Sequence, residues 1–104
     1  MTYVLSPIAI SHLTDIYNYT FENWGEAQAD KYLNELYSFF DSVSNRDIAW
    51  RPIPAEFSVQ GYFARCNKHF VYWRSFPNEH VGIVAVIHER RHQMERLKDI
   101  PPGP

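Results

Sequence analysis

Val81-Gly82-Ile83-Val84-Ala85-Val86-Ile87 is a run of seven residues without one polar side chain. A strand with one wet face alternates apolar and polar residues. A continuous apolar run of this length, rich in β-branched residues, reads instead as a central strand buried on both faces. Pro77-Asn78-Glu79 marks a turn before it, and His88-Glu89-Arg90-Arg91-His92 ends it abruptly in charge.

The rest of the chain supplies neighbours for that strand. Residues 61–66 and 69–76 read as two strands joined by a tight turn at Asn67-Lys68. Upstream, residues 45–60 carry Pro52 and Pro54 and read as a connection. Before that the period changes to that of a helix. Ala9, Leu13, Ile16, Tyr17, Thr20 and Trp24 line one face, with Ser6 as N-cap and Pro7 in the first helical position. Gly25 breaks this pattern, and a second helix starts near Glu26 with Ala29, Leu33, Leu36, Phe40 and Val43 as its stripe. So short a junction predicts an antiparallel helical hairpin. Tyr3-Val4-Leu5 reads as a first strand. The expected fold is α+β: an N-terminal strand, then a helical hairpin packed on one face of a mainly antiparallel four-stranded sheet. The other sheet face is expected to carry side chains such as Arg65 and Arg74.

A length of 104 residues fits one domain, here residues 1–98, followed by a Pro-rich tail at 99–104. Hydrophobic residues make up 45% of the chain, enough for a core without disulfides or a structural metal. Cys66 stands alone, so no internal disulfide forms and a reduced, cytoplasmic setting is expected. A signal peptide and a membrane span are not expected. Residues 1–45 hold one lysine and six carboxylates, whereas residues 46–104 hold nine basic and six acidic groups. That split fits a basic second half able to attract an anionic partner.

His88-Glu89-Arg90-Arg91-His92 matches the H-E-x-x-H pattern of zinc hydrolases, in which a helix turn sets two histidines on one metal. The context argues against a metal here. The pattern follows a β-type run, and the positions where an extended motif wants Gly and His hold Glu95 and Lys98. Cys66 has no surrounding motif that would lower its pKa. The basic residues are a better lead. Arg65, Lys68, His69 and Arg74 fall on one predicted hairpin, and His88, Arg90, Arg91 and His92 lie at the end of the next strand. Neighbouring strands can gather such groups to hold phosphates, with Tyr62, Phe63, Tyr72 or Trp73 available for stacking on bases. The same residues would serve equally as a solvated edge that discourages strand pairing.

Leu5-Ser6-Pro7-Ile8-Ala9, Asp15-Ile16-Tyr17-Asn18-Tyr19-Thr20 and Trp24-Gly25-Glu26-Ala27-Gln28-Ala29 with Tyr32 occupy the first half. Gly61-Tyr62-Phe63 with Arg65, His69-Phe70-Val71-Tyr72-Trp73-Arg74, and Ile83-Val84-Ala85-Val86-Ile87-His88 leading to Arg90-Arg91 occupy the second. Their order and spacing over residues 3–97 resemble the ParE/RelE superfamily of type II toxin–antitoxin toxins, and its ParE branch most. The resemblance implies a cognate antitoxin whose extended or helical C-terminal segment wraps the toxin. It implies contact with operator DNA only through that antitoxin, and growth inhibition in the cytoplasm with no cofactor. ParE-like members poison DNA gyrase by trapping it on cleaved DNA, whereas RelE-like members cleave mRNA in the ribosome.

The lack of a tyrosine after Trp73 and a pI near 6.2 set this chain apart from the ribonuclease branch. Its two long helices and Trp24-Gly25 junction resemble ParE. A non-enzymatic gyrase inhibitor is therefore expected, with target contact at Arg90, Arg91, His92 and Arg96. On the ribosome and mRNA alternative, Arg65 and Arg74 would hold phosphate, and His88 or His92 would act as acid or base. A remnant acting only as a binding module is the third reading. The antitoxin is expected to cover outward-facing members of Phe21, Trp24, Tyr37 and Trp50.

Overall fold

The structure is a computed structural model that describes residues 3–57, 59–77 and 80–91. Along the chain run β1 (Tyr3–Leu5), α1 (Pro7–Trp24), α2 (Glu26–Ser44), β2 (Arg51–Pro52), β3 (Tyr62–Cys66), β4 (His69–Ser75) and β5 (Val81–His88). Short 3-10 turns occupy Ala55–Phe57 and Glu89–Arg91. The strands make one sheet in the order β1-β5-β4-β3-β2, with β1 parallel to β5 and the other pairs antiparallel. The expected α+β architecture is present, with one strand beyond the four read from the sequence. Arg51–Pro52, inside the proline-marked connection, pairs with Phe63 and Tyr62. Pro52 has no N–H to donate, so β2 can lie only at a sheet edge. Residues 94–97, where the sequence allows a short final helix, and the tail expected at 99–104 lie outside the described residues.

Ser6 ties the start of α1 to the sheet. Its Oγ accepts the Ala9 N–H at 3.0 Å as an N-cap and donates to the Val84 carbonyl at 2.9 Å. Its backbone N–H bonds the Ile83 carbonyl. These bonds meet β5 at an irregularity: Tyr72 pairs with Ala85 but Trp73 pairs with Ile83, leaving Val84 as an extra residue. Beyond the three residues paired with β1, the Val86 N–H donates to His12 Nδ1 at 3.1 Å. Helix α1 thus satisfies the edge of β5 where β1 stops. Gly25 links the helices at φ +90°, a conformation L side chains rarely adopt, so a single residue reverses the chain.

The main core lies between the hairpin and the sheet. Ala9 and Leu13 of α1, with Leu36, Phe40 and Val43 of α2, meet Cys66, Val71, Trp73, Val81, Ile83 and Val86. Trp73 is fully buried, with Trp50 and Tyr62 packed against its ring. The opposite sheet face carries a second, smaller cluster of Ile53, Tyr72 and Ala85, joined by Val59, Phe63, Phe70 and Ile87. That second cluster explains why residues 81–86 are buried throughout. Gly82 fits the same account, because a Cβ there would stand 2.0 Å from the Phe76 ring. No described helix is long and apolar enough to cross a membrane.

Candidate functional site

The β3–β4 turn and the end of β5 converge on one sheet end. Asn67 takes φ +53°, which the two-residue reversal requires and which asparagine tolerates better than most side chains. The Glu89 N–H donates to the Lys68 carbonyl at 2.8 Å, pinning the Glu89–Arg91 turn to the hairpin turn. Arg65 forms an ion pair with Glu89 and donates from Nε to the Asn67 carbonyl. Asn67 Nδ2 reaches Glu35 of α2 at 2.8 Å. Lys68 and Arg90 are exposed.

Under this basic rim lies a row of three neighbouring residues across the strands: Cys66 opposite His69, and His69 opposite His88. The two imidazoles meet edge to face with centroids 5.1 Å apart. Tyr32 of α2 places its hydroxyl 2.5 Å from His69 Nδ1. Burial, then the neighbouring His88, pushes the His69 pKa down to about 4, so the ring is neutral near pH 7. With its proton on Nε2, that neutral ring accepts from the Tyr32 hydroxyl. His88 Nδ1 accepts the Arg90 N–H at 3.1 Å and so holds the 3-10 turn that starts the basic exit. Burial, then Glu35, pushes the Cys66 thiol up to about 11, which leaves it protonated and a poor nucleophile. Among the described residues no three His, Cys, Asp or Glu side chains could hold a metal ion together. Glu89–Arg91, the described residues after His88, form a 3-10 turn and not the α-helix a zinc motif needs.

The four groups considered for RNA cleavage are dispersed. Arg65 lies on the sheet face away from the helices, opposite Phe70. Arg74 shares that face but sits four residues along β4, about 13 Å away at strand spacing. Its Nε donates to the Gln60 carbonyl. His88 points to the helical face with His69, and His92 lies outside the described residues. Of the expected target contacts, Arg90 and Arg91 fall in the turn after β5, while His92 and Arg96 are not described.

The aromatic candidates for antitoxin contact divide sharply. Trp24 is 63% exposed and Phe21 46%, so both are available to a partner. Tyr19 is also exposed, its ring packing against Trp24. With Ile10 and the half-buried Tyr17, Phe21 and Trp24 form a stripe at helical spacing on α1. Asp15, Glu22, Glu26 and Asp30 surround it in sequence, and Asp30 accepts a hydrogen bond from the Tyr17 hydroxyl. Trp50 turns inward. Its Nε1 donates to the Val43 carbonyl, and Arg46 lies 3.5 Å above its ring. Tyr37 packs its ring edge-on to Phe40 and is half-buried. A separate open groove of about 690 Å³ follows the outer flank of α2, from Lys31 and Glu35 past Phe39 to Ser42, beside Cys66 and Asn67.

The links Tyr32–His69, Glu35–Asn67, Glu89–Arg65 and His12–Val86 were not anticipated from sequence. The Asn67-Lys68 turn alone would have set Cys66 against His69. The His69–His88 pairing needs the β4–β5 register, which no local signal supplies.

Residues 3–93 match the family model described as ParE toxin of type II toxin-antitoxin system, parDE. The chain is 30% identical to Toxin ParE of Escherichia coli over 97 residues, covering 93% of each protein. It is 30% identical to Toxin ParE1 of Mycobacterium tuberculosis over 89 residues, which is 85% of this chain and 89% of that one. Its fold is similar to a chain from the chromosomal ParDE TA system of P. aeruginosa, with a TM-score of 0.67 at 15% identity, covering 85% of this chain and 95% of that one.

Proposed function

The chain belongs to the ParE family of type II toxin–antitoxin toxins, and we propose that it arrests growth by poisoning DNA gyrase until a cognate antitoxin covers it. The observation that carries gyrase poisoning over RNA cleavage is the dispersal of Arg65, Arg74 and His88. Acid–base cleavage of an RNA backbone needs its groups around one phosphate. Here Arg65 and His88 take opposite sheet faces, Arg74 stands at the far end of the hairpin, and Arg65 is committed to Glu89. A surface inhibitor needs no such convergence. It needs an accessible surface that meets gyrase or the DNA that gyrase holds, and the Glu89–Arg91 turn, with Arg90 exposed, offers one.

The antitoxin reading rests on the exposed stripe of α1. An amphipathic segment laying its apolar face over Ile10, Phe21 and Trp24 would remove these side chains from water. The acidic residues around the stripe favour basic flanks on that segment. The toxin would act in the cytoplasm and meet operator DNA only through the antitoxin.

A supercoiling assay with purified gyrase tests the proposal. At micromolar toxin we expect lost supercoiling and accumulation of cleaved DNA, both reversed by the antitoxin. Codon-linked cuts in mRNA, with gyrase unaffected, would favour the ribosomal reading instead. Normal growth on expression without antitoxin would favour an inactive binding module.

A further inference from the structure

We propose that the sheet end formed by the β3–β4 turn and the Glu89–Arg91 turn binds the phosphate backbone of duplex DNA held by gyrase, not the surface of gyrase itself. This rests on the gyrase reading given above and adds the chemical class of the contact. Arg65 near the end of β3, Lys68 in the hairpin turn and Arg90 after β5 are brought together by the Glu89–Lys68 backbone bond, and Arg91 follows Arg90 in sequence. Glu89 offsets one of these cations through Arg65, and Glu35, bonded to Asn67, sets a second negative charge against the four basic residues. The end therefore stays positive, while residues 1–45, which supply β1 and the helical hairpin, hold six carboxylates and one lysine. A polyanion would approach this molecule with its cationic sheet end forward.

Protein–protein contacts draw most of their affinity from buried aromatic and aliphatic anchors. Among the described residues the exposed large hydrophobics are Val4, Ile10, Tyr19, Phe21 and Trp24, all on β1 and α1 and none at the basic end. The described part of this end offers cations, which suit phosphates, whose binding is driven by charge neutralisation and counterion release. The Lys68 backbone and the Arg90 N–H are both fixed, by Glu89 and by His88 Nδ1, so the two exposed cations project from set points.

The test measures binding of labelled toxin to gyrase alone and to gyrase loaded with a linear DNA duplex, between 50 and 200 mM salt. Wild type is expected to bind the loaded enzyme at least tenfold more tightly at low salt, with that increment shrinking as salt rises. The double variant Lys68→Glu, Arg90→Glu should lose most of the increment while binding free gyrase as before. Single variants Lys68→Gln and Arg90→Gln should each lower the salt slope by about 0.9. Circular dichroism and thermal melting confirm that each variant is folded. Equal loss of affinity for free and loaded gyrase in the double variant would overturn the proposal in favour of a protein contact. So would a wild-type affinity unaffected by DNA. Failure to bind gyrase in either state would instead remove the gyrase reading, and this proposal with it.

Discussion

His69 gives the sharpest test of the energetics of this sheet end. The residue is 7% exposed, its ring bonded to Tyr32 and edge-on to His88. Burial holds its pKa at about 4, against about 6.5 for a histidine in an unfolded chain. The sign follows from proton uptake. Between these values the unfolded chain binds a proton that the folded chain refuses, so stability falls as pH falls. The contribution is intact above pH 6.5 and is lost progressively down to about pH 4, the full difference being about 3 kcal/mol. At pH 4.5 about 2.5 kcal/mol of it is gone, a large share of the 5–15 kcal/mol typical of a domain.

Burial also lowers the His12 pKa, against the opposing pull of Asp15, so the pH dependence of wild type alone does not isolate His69. The comparison with His69→Gln does, because glutamine has no proton to gain and the other groups are common to both proteins. Urea unfolding of the two proteins, followed by tryptophan fluorescence from pH 7.5 to 4.5, is the assay. The stability advantage of wild type over the variant should shrink by about 2.5 kcal/mol across this range. Parallel stability profiles would refute the reasoning and mean that His69 titrates normally in the folded chain. An NMR titration of the ring should agree by showing His69 still neutral at pH 5.

Other consequences are open to measurement. Ser6→Ala removes both the α1 N-cap and the donor to the Val84 carbonyl, and should cost about 2 kcal/mol in urea unfolding. Gly82→Ala forces a Cβ into the Phe76 ring and should cost about 1–3 kcal/mol, most of it recovered when Phe76→Leu is added. A Gly82→Ala protein as stable as wild type would mean that the ring moves freely. Phe21→Ala and Trp24→Ala should leave the melting temperature nearly unchanged, yet each weaken antitoxin binding by tenfold or more. The same substitution at the inward-facing Trp50 should do the reverse, lowering the melting temperature first.

These tests divide where the sequence does. Local rules were enough for Ser6, Pro7, Gly25 and the Asn67-Lys68 turn, because each is a cap, a break or a reversal whose chemistry lies within a few residues. The apolar run 81–87 was readable as buried on both faces for the same reason. What covers its second face was not readable. Ile53 and Val59 come from the proline-marked connection, and nothing local says that this segment folds over Tyr72 and Ala85. The two-residue β2 leaves no mark in the sequence, because a strand that short has no period.

The candidate site failed to be legible for a related reason. Four basic groups close in sequence order suggested one convergent patch, but strand parity sends Arg65 and His88 to opposite faces. That assignment hangs on register, which the extra residue at Val84 shifts within β5. The bulge has a second effect. It brings the Val84 carbonyl to Ser6 and leaves the Val86 N–H for His12, so α1 itself sets the register that carries His88 to the helical face. Ser6→Ala is therefore expected to loosen more than the helix start. If the bulge and the basic turn are coupled through β5, hydrogen exchange in that variant should rise at the Val86 and Arg90 amides together. Protection lost at Val86 but retained at Arg90 would show that the His88–Arg90 turn is held by its local contacts alone.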